Sequence, residues 1–195
     1  MNFDLYQILF EFGYIVIFIV IFFETALPFG FVLPGDAIAF SSGFLASQKI
    51  FNIWIIFFLV FLSAVLGDNF SYYIGKTFGM NFLNEKKNKF LKEEIILSVK
   101  NFYQKHGRKS IFLSRFVPFA RSISPIISGA TGTPYSRFFF FNTLSCLVWA
   151  IGTTFGGFLF GSFISIEILK KYLSIVFILI LLILLAIKIF KNKIV

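Results

Sequence analysis

The sequence predicts an all-α polytopic membrane protein: one domain, residues 1–195, in two inverted-repeat halves. Each half has a Pro/Gly-broken re-entrant hairpin followed by a transmembrane helix, with further helices flanking them. Three observations predict this. The chain is 58% hydrophobic with a mean hydropathy of +0.88, more apolar surface than a soluble domain of this length can bury. Its apolar residues fall in runs close to the roughly 20 residues that cross a bilayer. Two of those runs, 24–47 and 110–134, are interrupted by prolines, glycines and charges that a plain lipid-facing helix would not carry.

Residues 5–23 form a first apolar segment. With acids at Asp4 and Glu11 and no basic n-region or cleavage site, it reads as a retained segment and not a signal peptide. The first broken stretch, "ETALPFGFVLPGDAIAFSSGFLAS" (24–47), follows without a linker. A second clean run, 50–66, continues through Asp68 into "NFSYYIGKTFG". Residues 81–109 then hold eight Lys or Arg against three acids, with Phe90, Leu91, Ile95, Leu97 and Phe102 at helical spacing. This pattern predicts an amphipathic helix in a cytoplasmic loop. The second broken stretch, "SIFLSRFVPFARSISPIISGATGTP" (110–134), leads into an apolar run at 138–161, and a last transmembrane helix is expected at 172–190.

A shift of 86 residues superposes the two broken stretches, placing Gly43 on Gly129 and Gly75 on Gly161. Short hydrophobic segments broken at matching places in two halves point to the binding site of a secondary transporter. The net charge of +9 concentrates beside the spans, which fits the positive-inside rule and an anionic lipid surface better than nucleic acid. With the 81–109 loop cytoplasmic, the hairpins approach from opposite faces and both termini are expected in the cytoplasm.

Charged groups in a bilayer interior cost at least about 2.5–3.5 kcal/mol each, so they are functional candidates. Glu24 and Asp36 lie in the first broken stretch, Arg115 and Arg121 in the second. The breakers around them are Pro28, Pro34, Gly35, Pro118, Pro125 and Gly129. Two carboxylates facing two guanidiniums across a wet cavity would make a proton-coupled anion site, because the guanidinium fork suits phosphate and a desolvated carboxylate takes up protons. The bland alternative is a set of salt bridges that only hold the hairpins together. Asp68 and Asn142 are supporting candidates, Asp68 with Lys76 as an alternative partner and Asn142 through an interhelical hydrogen bond. Tyr72, Tyr73 and Trp149 read as packing or interface aromatics, and a relay role for His106 is the weaker reading. The sequence carries no Gly-rich phosphate loop and no metal-ligand spacing, and it has one Cys, Cys146. No enzyme activity, cofactor or metal is expected.

These motifs resemble the DedA family of bacterial membrane proteins, also called the SNARE-associated or VTT-domain superfamily. The resemblance spans about residues 15–165 and rests on "FFETALPFGFVLPGDAIAFSSGFLA", "GDNFSYYIGKTFG", the "RFVPFAR" of residues 115–121 and Trp149. It implies functional roles for Glu24, Asp36, Arg115 and Arg121. It also implies location in the bacterial cytoplasmic (inner) membrane and flipping of undecaprenyl phosphate or another phospholipid, dependent on the proton motive force. Partners would be the phosphate-headed lipid, protons and the anionic lipid surface, with self-association left open. The departure "SGATGTPYSRF", which puts Gly132 and Thr133 where relatives carry a bulky residue, bears on substrate preference. Rival readings are an energy-independent scramblase and a non-transporting scaffold.

Overall fold

The computed structural model describes residues 5–28, 30, 33–84, 110–117 and 120–164, and among them every regular element is a helix. In order these are α1 (Leu5–Ala26), α2 (Gly35–Ser47), α3 (Ile53–Asn84), α4 (Ser110–Ser114), α5 (Ala120–Ala130), α6 (Tyr135–Ala150), a π-helical turn (Ile151–Phe155) and α7 (Gly156–Phe163). The last three form one continuous rod. Most of the 81–109 loop with His106, Pro118, and the 172–190 helix lie outside the described residues.

Backbone chemistry sets the ends of these helices. Pro28 has no N–H with which to continue α1, and Pro34 stands immediately before α2, where the missing donor is tolerated. Both α2 and α5 close with the same pair of reversed hydrogen bonds. At α2, Lys49 takes φ 62°, its N–H donating to Ala46 O while the Ile50 N–H donates to Leu45 O. At α5, Gly132 takes φ 72°, its N–H donating to Gly129 O while the Thr133 N–H donates to Ser128 O. Asn52 caps α3 by accepting from the Trp54 N–H at 2.9 Å.

Three details differ from the sequence reading. Glu24 is not in the break but in the last turn of α1, because nothing before Pro28 prevents a helix. Pro125, expected as a breaker, sits inside α5, which runs through it to Ala130. Gly129, also expected as a breaker, lies in the last turn of α5 and serves close packing there.

Among the described residues two helical segments are long and apolar enough to span a membrane: Ile53–Phe78 with 26 residues and Tyr135–Phe163 with 29. At 1.5 Å per residue they measure about 39 and 43 Å, more than the roughly 30 Å of a hydrocarbon core. Large apolar side chains point outward along Phe12, Ile15, Ile19 and Phe23 of α1, Trp54, Phe58 and Leu62 of α3, and Phe140, Leu144 and Val148 of α6. So much exposed apolar surface suits contact with lipid. Inside, Ile17 and Ile21 of α1, Ile56, Val60 and Ala64 of α3, and Cys146, Trp149 and Ala150 of α6 form the main core.

Contacts along the helices fix their directions. The Ser71 hydroxyl of α3 donates to Thr25 O at 3.1 Å and Ala26 O at 2.6 Å, and the Asn52 N–H donates to the Tyr14 hydroxyl at 3.0 Å. Hence α1 and α3 run the same way. The start of α1 therefore lies at the end of the bundle where α2 stops, opposite Asn84. Residues 5–23 thus run parallel to α3 and lead directly into the first break. The rod from α6 to α7 runs back, with the Tyr135 hydroxyl donating to Asn69 at its start and Gln48 Nε2 donating to Gly161 O near its end.

Candidate ion-pair site at the helix breaks

The two broken stretches bring their charges together in the middle of the bundle. Arg121, in the first turn of α5, reaches back across 85 positions to the first turn of α2. Its Nη1 donates to both Asp36 carboxylate oxygens at 2.6 Å. Its Nη2 donates to Glu24 Oε1 at the end of α1. One guanidinium thus holds two carboxylates from either side of the first break. The Arg121 side chain is 20% exposed and that of Asp36 55%, whereas Glu24 is buried.

Arg115, in the turn after α4, is placed differently. Its Nη1 donates to Asp68 Oδ2 of α3 at 2.5 Å, and both side chains are buried. The Cys146 thiol adds a weak contact to the same oxygen at 3.4 Å. Trp149 lies between the two arginines: its ring carries the Arg115 guanidinium 4.8 Å from the centroid, and its Nε1–H donates to Asp36 Oδ1 at 3.0 Å. The π-helical turn begins two residues later, and such turns recur at functional sites.

A small cavity separates the two ion-pair groups, lined by Glu24, Thr25, Asp68, Arg115, Arg121, Ser122 and Trp149. About 10 Å³ of it is open to the centre of a water molecule, room for about one water and none for a phosphate. Among the described residues, the buried Glu24 Oε2, Arg115 Nε and Ser122 Oγ have no hydrogen-bond partner. Unpartnered buried donors and acceptors are costly, and a site that keeps several is poised to take another polar group.

The VTT domain family matches residues 33–159. Protein DedA of Escherichia coli K12 is 33% identical over 151 residues, covering 76% of this chain and 69% of that protein. The membrane protein ML0287 of Mycobacterium leprae is 34% identical over 162 residues, 82% and 72% of the two chains. The chain belongs to the DedA family. The inner membrane protein YqjA of Escherichia coli K12 is 29% identical over 148 residues, 76% and 67% of the two chains. No solved structure matches.

In this DedA-family chain all four charges singled out from the sequence meet in one region, but their pairing differs from the expected facing pairs. Glu24 and Asp36 both go to Arg121, and Arg115 takes Asp68, which does not pair with Lys76. Asn142 is buried beside the Asp68 carboxylate on the neighbouring helix. Tyr72 packs on Phe138 and donates to Thr133 O, a structural role as anticipated. Trp149 was read as a packing aromatic and is also a donor within the site. Gly35 leaves room for the Glu24 carboxylate, which a Cβ there would overlap. Its signal in the sequence is its place beside Asp36 in "LPGD". Among the described residues no group of three His, Cys, Asp or Glu side chains could hold a metal ion.

Proposed function

We propose that this chain is a proton-coupled transporter that flips a phosphate-headed lipid, undecaprenyl phosphate or a related phospholipid, across the bacterial cytoplasmic membrane in support of envelope homeostasis. The observation that carries this reading is the double clasp on Arg121: a forked cation, partly open to solvent, held by two carboxylates that a phosphate could replace. Arg115 would be the second cation of the phosphate site.

In this reading α1–α2 and α4–α5 are re-entrant hairpins that enter from opposite faces, and the halves are inverted repeats. Four glycine contacts support it. Gly43 of α2 abuts the backbone of Thr154 and Phe158, while Gly129 of α5 abuts Tyr72 and Lys76. Gly157 of α7 abuts Phe40, while Gly75 of α3 abuts Ile126. Each member of a pair maps on the other by one rule: 86 residues between the hairpin arms and 82 between the long helices. Gly75 therefore corresponds to Gly157, where a single 86-residue shift would give Gly161. Each hairpin arm rests on the long helix of the other half, the arrangement in which rocking one half exposes the site to alternate faces.

Charge balance supplies the proton. The site holds three carboxylates and two guanidiniums, one negative charge in excess when all are ionised. A phosphate that takes Arg121 leaves Glu24 and Asp36 without their cation, and a buried carboxylate so stranded binds a proton. Protons enter with the anion and leave with it, while the lipid tail stays in the bilayer. The reading contains no bond-making step.

The test is flipping of undecaprenyl phosphate in proteoliposomes by wild type, Arg121→Lys and Asp36→Asn, with and without an imposed pH gradient. Gradient-dependent flipping is expected, with Arg121→Lys slower by at least about tenfold because lysine lacks the fork. Flipping that ignores the gradient and survives Asp36→Asn would establish the scramblase instead. Folded wild type that flips no phosphate lipid would leave the scaffold.

A further inference from the structure

Trp149 touches both halves of the charge system, and the site as read above does not use it. Its indole is a donor only, buried at 8% exposure, and its single N–H is spent on Asp36. Asp36 is the more exposed of the two carboxylates on Arg121 and so the freer to leave. Once it leaves, the indole N–H must find another acceptor at the same place. The Arg115 guanidinium on the ring face keeps the indole from turning away. The acceptor that displaces Asp36 from Arg121 arrives within reach of the same indole.

We propose that Trp149 is a substrate-contacting residue: its Nε1–H passes from Asp36 to an oxygen of the incoming phosphate group, whose remaining oxygens meet Arg121, Arg115 Nε and Ser122 Oγ. Three buried, unpartnered groups converge on that occupant. Arg115 Nε and Ser122 Oγ are buried, unpartnered groups able to donate, and both residues line the cavity beside Trp149. The fourth side of the cavity carries Glu24, whose unpartnered Oε2 would repel an anion unless it held a proton, and in that form it donates too. Once Asp36 leaves Arg121 and the space widens beyond its present one-water size, this ring of donors beside two guanidiniums suits a tetrahedral oxyanion, whether lipid headgroup or free phosphate. The assignment rests on the transport reading for its substrate and deepens it by naming a neutral contact that selects for geometry as well as charge.

The chain has two tryptophans, and the other, Trp54, lies exposed at the end of the bundle against Phe155. Trp54→Phe therefore leaves Trp149 as the sole indole reporter without altering the site. Purified Trp54→Phe protein in nanodiscs of phosphatidylcholine is compared with the same discs containing phosphatidic acid, and with inorganic phosphate added to the phosphatidylcholine discs. A saturable change in Trp149 emission with phosphatidic acid, abolished by Arg121→Ala, is the expected result. A response to inorganic phosphate alone supports the same contact with free phosphate as ligand. In flipping assays Trp149→Phe, which keeps the ring under Arg115, should raise KM about tenfold with maximal rate within about twofold, the mark of a lost binding contact. Emission that stays silent while flipping proceeds, with a wild-type KM for Trp149→Phe, overturns the assignment and leaves the transport reading intact. A saturable emission response in protein that flips nothing removes transport and keeps the phosphate contact.

Discussion

Arg115 and Arg121 lie six residues apart, the first just after α4 and the second in the first turn of α5, yet they occupy opposite environments. Arg115 is buried against a single carboxylate of the unbroken helix α3, roofed by an indole. Arg121 is partly exposed and held by two carboxylates from the two arms of the first break. Neutral, desolvated and built on a continuous helix, the first pair has no reason to open. The second holds two anions for one cation, one of them in contact with solvent, and opening it costs far less. On the proposed transport reading, the two arginines that a motif presents as equivalent divide into an anchor and a gate.

The largest expected effect comes from breaking the anchor. Asp68→Asn leaves the Arg115 guanidinium buried without a counter-charge, which costs about 3–5 kcal/mol in comparable buried pairs. Asp36→Asn strands nothing, since Glu24 still holds Arg121. Thermal unfolding of the purified proteins in detergent should show Asp68→Asn greatly destabilised and Asp36→Asn close to wild type. Equal losses in both would erase the distinction between the two arginines.

A subtler change strikes the gate without touching its charges. A Cβ at Gly35 would overlap the Glu24 carboxylate, so Gly35→Ala should push Glu24 off Arg121. Helix α2 itself gains from alanine, because glycine is the poorer helix former by up to about 1 kcal/mol. The protein should stay folded while flipping falls by about tenfold or more and its response to a pH gradient weakens. Wild-type transport and gradient response in Gly35→Ala would show that Glu24 need not be held on Arg121.

How much of this could be read from the chain follows from the same contrast. Glu24, Asp36, Arg115 and Arg121 stand out because charges in apolar runs are expensive, and the helical architecture follows from the runs themselves. The pairing was not legible. Asp68 reaches Arg115 across 47 positions from the middle of a regular helix, where nothing local marks its partner. Trp149 stands out in the chain only through the family resemblance, and its bond to Asp36, 113 positions away, shows in the fold alone. The breaks were visible, but prolines do not act alike: Pro28 follows the end of a helix, whereas Pro125 sits within one whose neighbours support it.

The smallest expected effect sharpens the contrast during turnover. Cys146, the single cysteine of the chain, is buried against Asp68 and so reports on the anchor without any added label. A buried thiol without access does not react, so maleimide should leave Cys146 unmodified both at rest and while the lipid is being flipped. For the gate, a cysteine is placed at Asp36 in a Cys146→Ala background, a change that removes only a weak 3.4 Å contact and should shift stability by no more than about 1 kcal/mol. That position, already exposed, should label readily at rest and change its rate by several-fold when phosphate lipid is added. Substrate-dependent labelling of Cys146 would mean that the Arg115 pair parts as well, and the bundle would then have to open through its core and not only between its hairpins.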